Sequence, residues 1–364
     1  MIPDMTPNHK NLRVVPQLIY GRGSIRQLGD VLANKRTDSA TPTVFLIDDV
    51  LESRSWVHDL PVHANDLIIF VNVDVEPKTS YVDDLTLRVK DFSNRMPDAL
   101  VGIGGGSTMD LTKAVGLMLT NPGSAADYQG WDLIKYPGVY KIGIPTLAGT
   151  GAEVSRTTVL TGPVRKLGIN SDFTPFDQVI FDADLVADAP RDQRFFTAMD
   201  CYIHSAESLN GTFINEFARA FAEKSQDMCR EVFLTDLNDA VGDEKLMVAS
   251  YFGGLSIAYS QVGVCHALSY GLSFVHGTRH GVGNCIVFDQ LEEFYPENVR
   301  EFRRMVERHG ITLPKGVNAE TTDEQYDEMV RVALSLDPLW ENALGPDWKE
   351  LMTADRAREL YQRM

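Results

Sequence analysis

Short apolar runs alternate with longer helical patterns through the first half of the chain. Residues 43–47 form one such run and end at Asp48-Asp49; residues 67–71, 99–103, 140–145 and 178–182 form the others. β-Rich runs separated by helical stretches predict βαβ units and a mostly parallel sheet. The texture changes after Asp188-Ala189-Pro190. Pro190 suits the first turn of a helix, with Asp188 as its cap. From there to Met364 the pattern is helical with few strand signals, and residues 300–308 and the stretch from Thr353 read as surface-amphipathic helices. The expected class is α/β plus all-α, with a parallel-sheet half over residues 1–187 and a helical half over 188–364. Internal repeats and low-complexity tracts are absent.

A chain of 364 residues is too long for one ordinary core, which agrees with two domains. The formal net charge is −17. So acidic a surface argues against nucleic acid or an anionic membrane as the main partner. It leaves the sign inside a cleft open, so an anionic small substrate is not excluded. The N-terminus lacks the basic and apolar regions of a secretory leader, and no apolar run is long enough to span a bilayer. Cys201, Cys229, Cys265 and Cys285 form neither a CxxC pair nor a disulfide-like framework, and read as reduced, packed thiols of a cytoplasmic protein.

Two constellations carry chemistry. The first is the turn Gly104-Gly105-Gly106-Ser107-Thr108-Met109-Asp110, which runs from a strand into a helix. Glycines let the backbone approach an anion, and the helix N-terminus offers free N–H groups and the positive end of its dipole. A pyrophosphate is the natural guest, although the spacing is neither a Walker loop nor a strict GxGxxG; a tight turn without a ligand would read the same way. Asp48, at the end of an earlier strand, can accept hydrogen bonds from ribose hydroxyls, which favours NAD over NADP. A loop or capping aspartate is the other reading.

The second constellation is Asp200 and His204, four apart on an expected helix and so on one face. His266, His276 and His280 follow in the same half. Three imidazoles and one carboxylate suit Fe²⁺ or Zn²⁺, and ligand type alone does not separate the two. A lone DxxxH pair would be met equally by a cap and a packed core histidine; the surrounding histidines raise its specificity.

Together these motifs resemble the iron-containing (group III) alcohol dehydrogenase family over essentially the whole chain. Gly104 to Asp110 is similar to that family's pyrophosphate turn. The run from Pro145 to Ser155, with Thr146 and Thr150, is similar to its second cofactor loop. Lys166 matches a lysine near the nicotinamide side of the cleft. Asp200 and His204 match the first two metal ligands, His266 the third and His280 the fourth, fourteen positions on. The resemblance implies a dinucleotide-binding α/β domain, an all-helical domain of the dehydroquinate synthase-like type, and a metal and NAD(P) meeting between them. It also implies a homodimer. Two positions depart from the family pattern: Tyr270 stands where a second histidine is common, and Arg279 where a proline is usual. Arg279 beside the metal could pair with a substrate carboxylate through parallel hydrogen bonds or form a structural ion pair. His276 could face the substrate or serve as a polar wall.

The whole-chain resemblance extends to family members that oxidise the C8 alcohol of 3-deoxy-D-manno-octulosonate (Kdo). The resulting aldehyde would feed a pyridoxal-phosphate aminotransferase that makes the 8-amino sugar of lipopolysaccharide. Alternatives are a dehydrogenase of a simple alcohol or polyol, a dehydroquinate-synthase-like lyase that takes its hydride back within one cycle, an oxidase using oxygen as final acceptor, and a non-catalytic nucleotide- or metal-binding protein.

Overall fold

The computed structural model describes residues 14–364; the reading of the N-terminus as leaderless concerns residues that lie outside them. Six strands form a parallel sheet: β1 (Gln17–Tyr20), β2 (Thr43–Asp48), β3 (Leu67–Val71), β4 (Ala99–Gly104), β6 (Lys141–Pro145) and β9 (Gln178–Phe181). Their spatial order is β1-β9-β6-β4-β2-β3. Every pair in this sheet is parallel, with Val44 opposite both Leu67 and Leu100. Helices explain why the strands are apolar on both faces. Val44, Leu46 and Leu100 pack with α2 (Thr79–Phe92) and α3 (Gly106–Met118), while Phe45, Ile47, Val101 and Ile103 pack with α1 (Leu28–Ala33).

A second, three-stranded sheet escapes the apolar-run reading. β5 (Gly130–Trp131) pairs in parallel with β8 (Lys166–Asn170), and β7 (Thr157–Thr161) pairs antiparallel to β8. The hairpin had a local signal: Thr157–Thr161 is β-branched with alternating burial, and Gly162-Pro163 follows as a turn. β1 is a short edge strand with mostly exposed side chains, so it lacks the apolar run of the others.

No strand follows β9 among the described residues. The chain continues through α4 (Arg191–Asn210), α5 (Glu216–Leu234), α6 (Asp239–Tyr259), α7 (Val264–His276) and α8 (His280–Asp289). It ends with α9 (Pro296–Arg308), α10 (Asp323–Leu334), α11 (Asp337–Leu344), α12 (Trp348–Leu351) and α13 (Ala354–Gln362). None of these helices is long and apolar enough to cross a membrane. The α9 helix buries Val299, Phe302 and Met305 along one stripe, and Thr353 caps α13 by accepting from the Arg356 N–H. One expectation fails here. Pro190 precedes α4 as its cap residue, and Asp188 does not cap it: its carboxylate accepts from Arg54 Nη1 at 2.9 Å instead.

The α4 helix is buried on nearly all sides from Phe195 to Ser208, so it forms the centre of the helical half. The sheet half rests on it through the loop after β6. Gly149 adopts φ +145°, and a Cβ there would lie 1.8 Å from the Thr197 carbonyl oxygen on α4. Only glycine allows this approach. Val179 and Phe181 meet Met247 and Leu255 nearby, and Ser250 on α6 accepts from the Gly151 N–H.

Gly149→Ala is expected to lose more than about 2 kcal/mol, because strain and a backbone clash coincide. Gly277→Ala has φ +67° but nothing within 4 Å, and should lose only about 1 kcal/mol. Thermal melts of the two variants check the ranking: the Gly149 variant should melt several degrees lower.

Candidate active site between the two halves

Asp200 and His204 lie one helical turn apart on α4. His266 stands in the first turn of α7, and His280 opens α8. A left-handed Gly277 ends α7 and lets the chain turn back into α8, so both helices aim their N-terminal turns at α4. One donor atom from each of the four side chains lies within 4.8 Å of the others. Nε2 of His204 and Nε2 of His266 are 3.5 and 3.4 Å from Asp200 Oδ1, and His280 Nε2 is 3.4 Å from Oδ2. These are the separations of neighbouring ligands around one ion. Among the described residues the buried Asp200 Oδ2 has no hydrogen-bond donor, a lack that a cation at the centre would satisfy. The donor set therefore fits a divalent transition metal.

Two further residues, given no role from sequence, complete the centre. Glu207 lies one more turn along the Asp200–His204 face. Its Oε2 is 2.5 Å from His266 Nδ1, and its Oε1 accepts from the Cys265 N–H at 2.7 Å. A carboxylate on Nδ1 fixes the imidazole tautomer and turns Nε2 toward a metal. Spacing alone could have found it, since 200, 204 and 207 share one helix face. Asn284 is fully buried one turn beyond His280, and its Nδ2 donates to Asp200 Oδ1 at 2.7 Å. Burial holds the His204 pKa down to about 3, so this imidazole is neutral and its lone pair is available. At His266 burial also disfavours charge, but Glu207 and Asp200 outweigh it and push the pKa up to about 9.

The cluster opens into a cavity of about 670 Å³ shared by both halves. The nucleotide side of the wall carries Asp48, Gly105, Gly106, Ser107, Asp110, Thr146 and Thr150; the helical side carries Asp200, His204, His266, Tyr270, Arg279 and His280. The chain reverses its order across the sheet between β2 and β4, and ligands of open α/β sheets bind outside the carboxyl ends at such a point. Asp48 and the glycine turn sit there. Among the described residues no side chain caps the N-terminus of α3, whose first residues Gly106 and Ser107 line the cavity with N–H groups left free of such a partner. A Cβ on Gly106 would lie 2.7 Å from Thr150 Cγ2. The cradle fits a pyrophosphate. Gly104 lies just beneath it, pressed against Thr108 and Asp48. Asp110 bonds to Lys113 at 3.0 Å and accepts from the Val159 N–H, so it also braces the small sheet. Burial pushes the Asp48 pKa up, with Asp49 and Asp74 adding to it.

Three sequence expectations need correction or refinement. Lys166 is buried and does not line the cavity; its Nζ donates to Glu76 Oε2 at 2.8 Å and to Ser273 Oγ at 3.0 Å. The β7–β8 hairpin that was not read from sequence turns this side chain inward. His276 ends α7 on the surface, with Nε2 3.2 Å from Thr321 Oγ1, and it too is outside the cavity wall. Ten residues after His266 on a helix is close to three turns along, roughly 15 Å, which carries it past the cavity it was expected to face. Arg279 does reach the rim, but it is 58% exposed and its partner, at 3.3 Å, is the still more exposed Asp74. Tyr270 is buried beside both His266 and His280, with ring centroids at 6.3 and 6.0 Å. Burial raises its pKa, so the phenol stays protonated.

Comparison with known proteins agrees with this geometry. Residues 16–183 match the description of the iron-containing alcohol dehydrogenases, and residues 195–337 match the C-terminal part of the same family. The NAD-dependent methanol dehydrogenase of Bacillus methanolicus is 27% identical over 286 residues, 76% of this chain and 73% of that one. The choline dehydrogenase of Bacillus subtilis is 26% identical over 370 residues, covering 95% and 88%. The structure of sulfoacetaldehyde reductase from Bifidobacterium kashiwanohense in complex with NAD⁺ superimposes with a TM-score of 0.78 at 20% identity, covering 97% and 98%. Matched in both halves, the chain belongs to the iron-containing alcohol dehydrogenase family, metal-dependent alcohol oxidoreductases that use iron and NAD(P).

Proposed function

We propose that this protein oxidises a primary alcohol of an acidic sugar to the aldehyde, with Kdo and its C8 hydroxyl as the substrate. The observation that carries the reaction class is the Asp200–His204–His266–His280 cluster opening on the same cavity as the uncapped α3 terminus. When bound, the metal supplies Lewis-acid polarisation of the alcohol and the dinucleotide supplies a hydride acceptor. Asp200, His204, His266 and His280 would hold the metal, and the turn from Gly104 to Ser107 with Thr146 and Thr150 would hold the dinucleotide. Glu207 keeps the His266 ring oriented, Asn284 keeps Asp200 oriented, and Tyr270 closes the wall behind the imidazoles as a neutral group. Asp48 would accept the ribose hydroxyls. With Asp49 and Asp74 close by, a 2′-phosphate would meet like charge there, which favours NAD.

The sugar-acid assignment rests on the whole-chain resemblance to Kdo-oxidising members and on two arginines at the cavity wall, Arg54 and Arg279. Among the described residues each side chain is paired with one exposed aspartate, Asp188 and Asp74 respectively. Exposed pairs of this kind contribute little, about 0–1 kcal/mol, so a substrate carboxylate can exchange for the aspartate at small cost. Most other charged groups on this wall are acidic, so a carboxylate has few places to settle.

Three outcomes are expected. His266→Ala should lose bound metal and turnover together; normal metal content with full activity would remove His266 from the ligand set. Arg279→Ala should raise KM for Kdo about tenfold and leave a neutral polyol unaffected, the worth of one charge-assisted hydrogen bond. Equal loss on both substrates would sink the carboxylate role. Asp48→Ala should narrow the preference for NAD over NADP by about tenfold, read from kcat/KM with each cofactor.

A further inference from the structure

We infer that Glu76 is a positioning residue that ties the metal ligand His280 to the nucleotide-binding half. Glu76 sits in the loop between β3 and α2, and its side chain crosses the cleft. Oε1 accepts from the backbone N–H of His280 at 2.7 Å, and Oε2 accepts from Lys166 Nζ at 2.8 Å. Lys166 in turn donates to Ser273 Oγ on α7, the helix that carries His266. One carboxylate thus joins the loop after β3, strand β8 and the start of α8.

Two observations make this more than a convenient contact. First, α8 has no side-chain cap of its own, because Arg279 precedes it and offers no acceptor. Glu76 supplies the missing oxygen from 204 positions away, and its charge lies at the positive end of the helix dipole. Second, the four ligands are not equally held. Asp200, His204 and His266 have side chains 1%, 4% and 1% exposed, whereas that of His280 is 24% exposed. His266 also has Glu207 on Nδ1, and no protein group is bonded to Nδ1 of His280 among the described residues. Packing fixes three ligands; the fourth depends on its main chain, and Glu76 holds that main chain. Lys166 then serves the tether by fixing the second carboxylate oxygen. The inference rests on reading the four side chains as the ligand set.

The test uses Co²⁺ titration of the full chain, followed by the visible absorption of the bound ion, for wild type, Glu76→Ala and Glu76→Gln. Glutamine keeps an oxygen for the His280 N–H but cannot form the ion pair. Glu76→Ala should raise the Co²⁺ dissociation constant about 10–100-fold and shift the band, as loss of outer partners does in other metal sites; Glu76→Gln should stay within about threefold of wild type. A wild-type dissociation constant and spectrum in Glu76→Ala would overturn the inference, as would equal damage in Glu76→Gln. If Glu76→Ala folds poorly with Lys166 left unpaired, the Glu76→Ala/Lys166→Met double variant removes the orphan charge and must show the same weakening. Failure of wild type to bind Co²⁺ at all would instead sink the ligand assignment.

Discussion

A carboxylate buried beside three imidazoles at the seam of two domains is the constraint on which the rest of this structure depends. Asp200 is 1% exposed, and one of its oxygens has no protein donor. Removing such a charge from water costs several kcal/mol unless a cation and hydrogen bonds compensate. The surroundings supply both. Asn284 donates to the oxygen facing it, three imidazole nitrogens converge around the carboxylate, and Glu207 fixes one imidazole from behind. The metal site is thus a consequence of how α4, α7 and α8 pack.

The same packing decides where the cofactor meets the metal. The glycine loop after β6 lies on α4 with no room for a side chain, so Thr150 is set against Gly106 while Thr197 sits just behind. The phosphate cradle and the ligand helix are therefore parts of one contact. Hydride transfer needs the two reacting carbons held within contact distance in a site from which water is largely excluded. A close interdomain contact achieves this better than a mobile loop would. Tyr270 packs beside two of the imidazoles, those of His266 and His280, and lines the cavity as a protonated, neutral phenol.

Much of the site was legible because its residues lie in local patterns. Asp200 and His204 share a helix face, and the glycine turn announces a strand-to-helix junction from its letters alone. Glu207 was equally legible by spacing, yet a single acidic residue on a helix carries no message until its partner is known. The β7–β8 hairpin lacks the continuous apolar runs that mark the large sheet, so a reading of strands from such runs passes over it, and with it the direction of Lys166. Lys166 is instead a buried partner of Glu76, whose own side chain lines the cavity. His276, expected to face the substrate or form a polar wall, does neither, because helix rise carries position 276 well away from 266 and out of the cavity lining.

By itself the chain determined the alternation of strands and helices, the handover to an all-helical half, the glycine-rich strand-to-helix turn and an Asp–His pair on one helix face. Each is set by interactions within a few residues: side-chain periodicity, glycine's backbone freedom and the helical repeat. Only the tertiary structure brings the donor atoms of Asp200, His204, His266 and His280 together, sets Glu207 and Asn284 against them, and carries Glu76 to His280 across the cleft. Those pairings link positions tens to hundreds of residues apart. Their geometry follows from how the helices pack against the sheet, which no local pattern of side chains encodes.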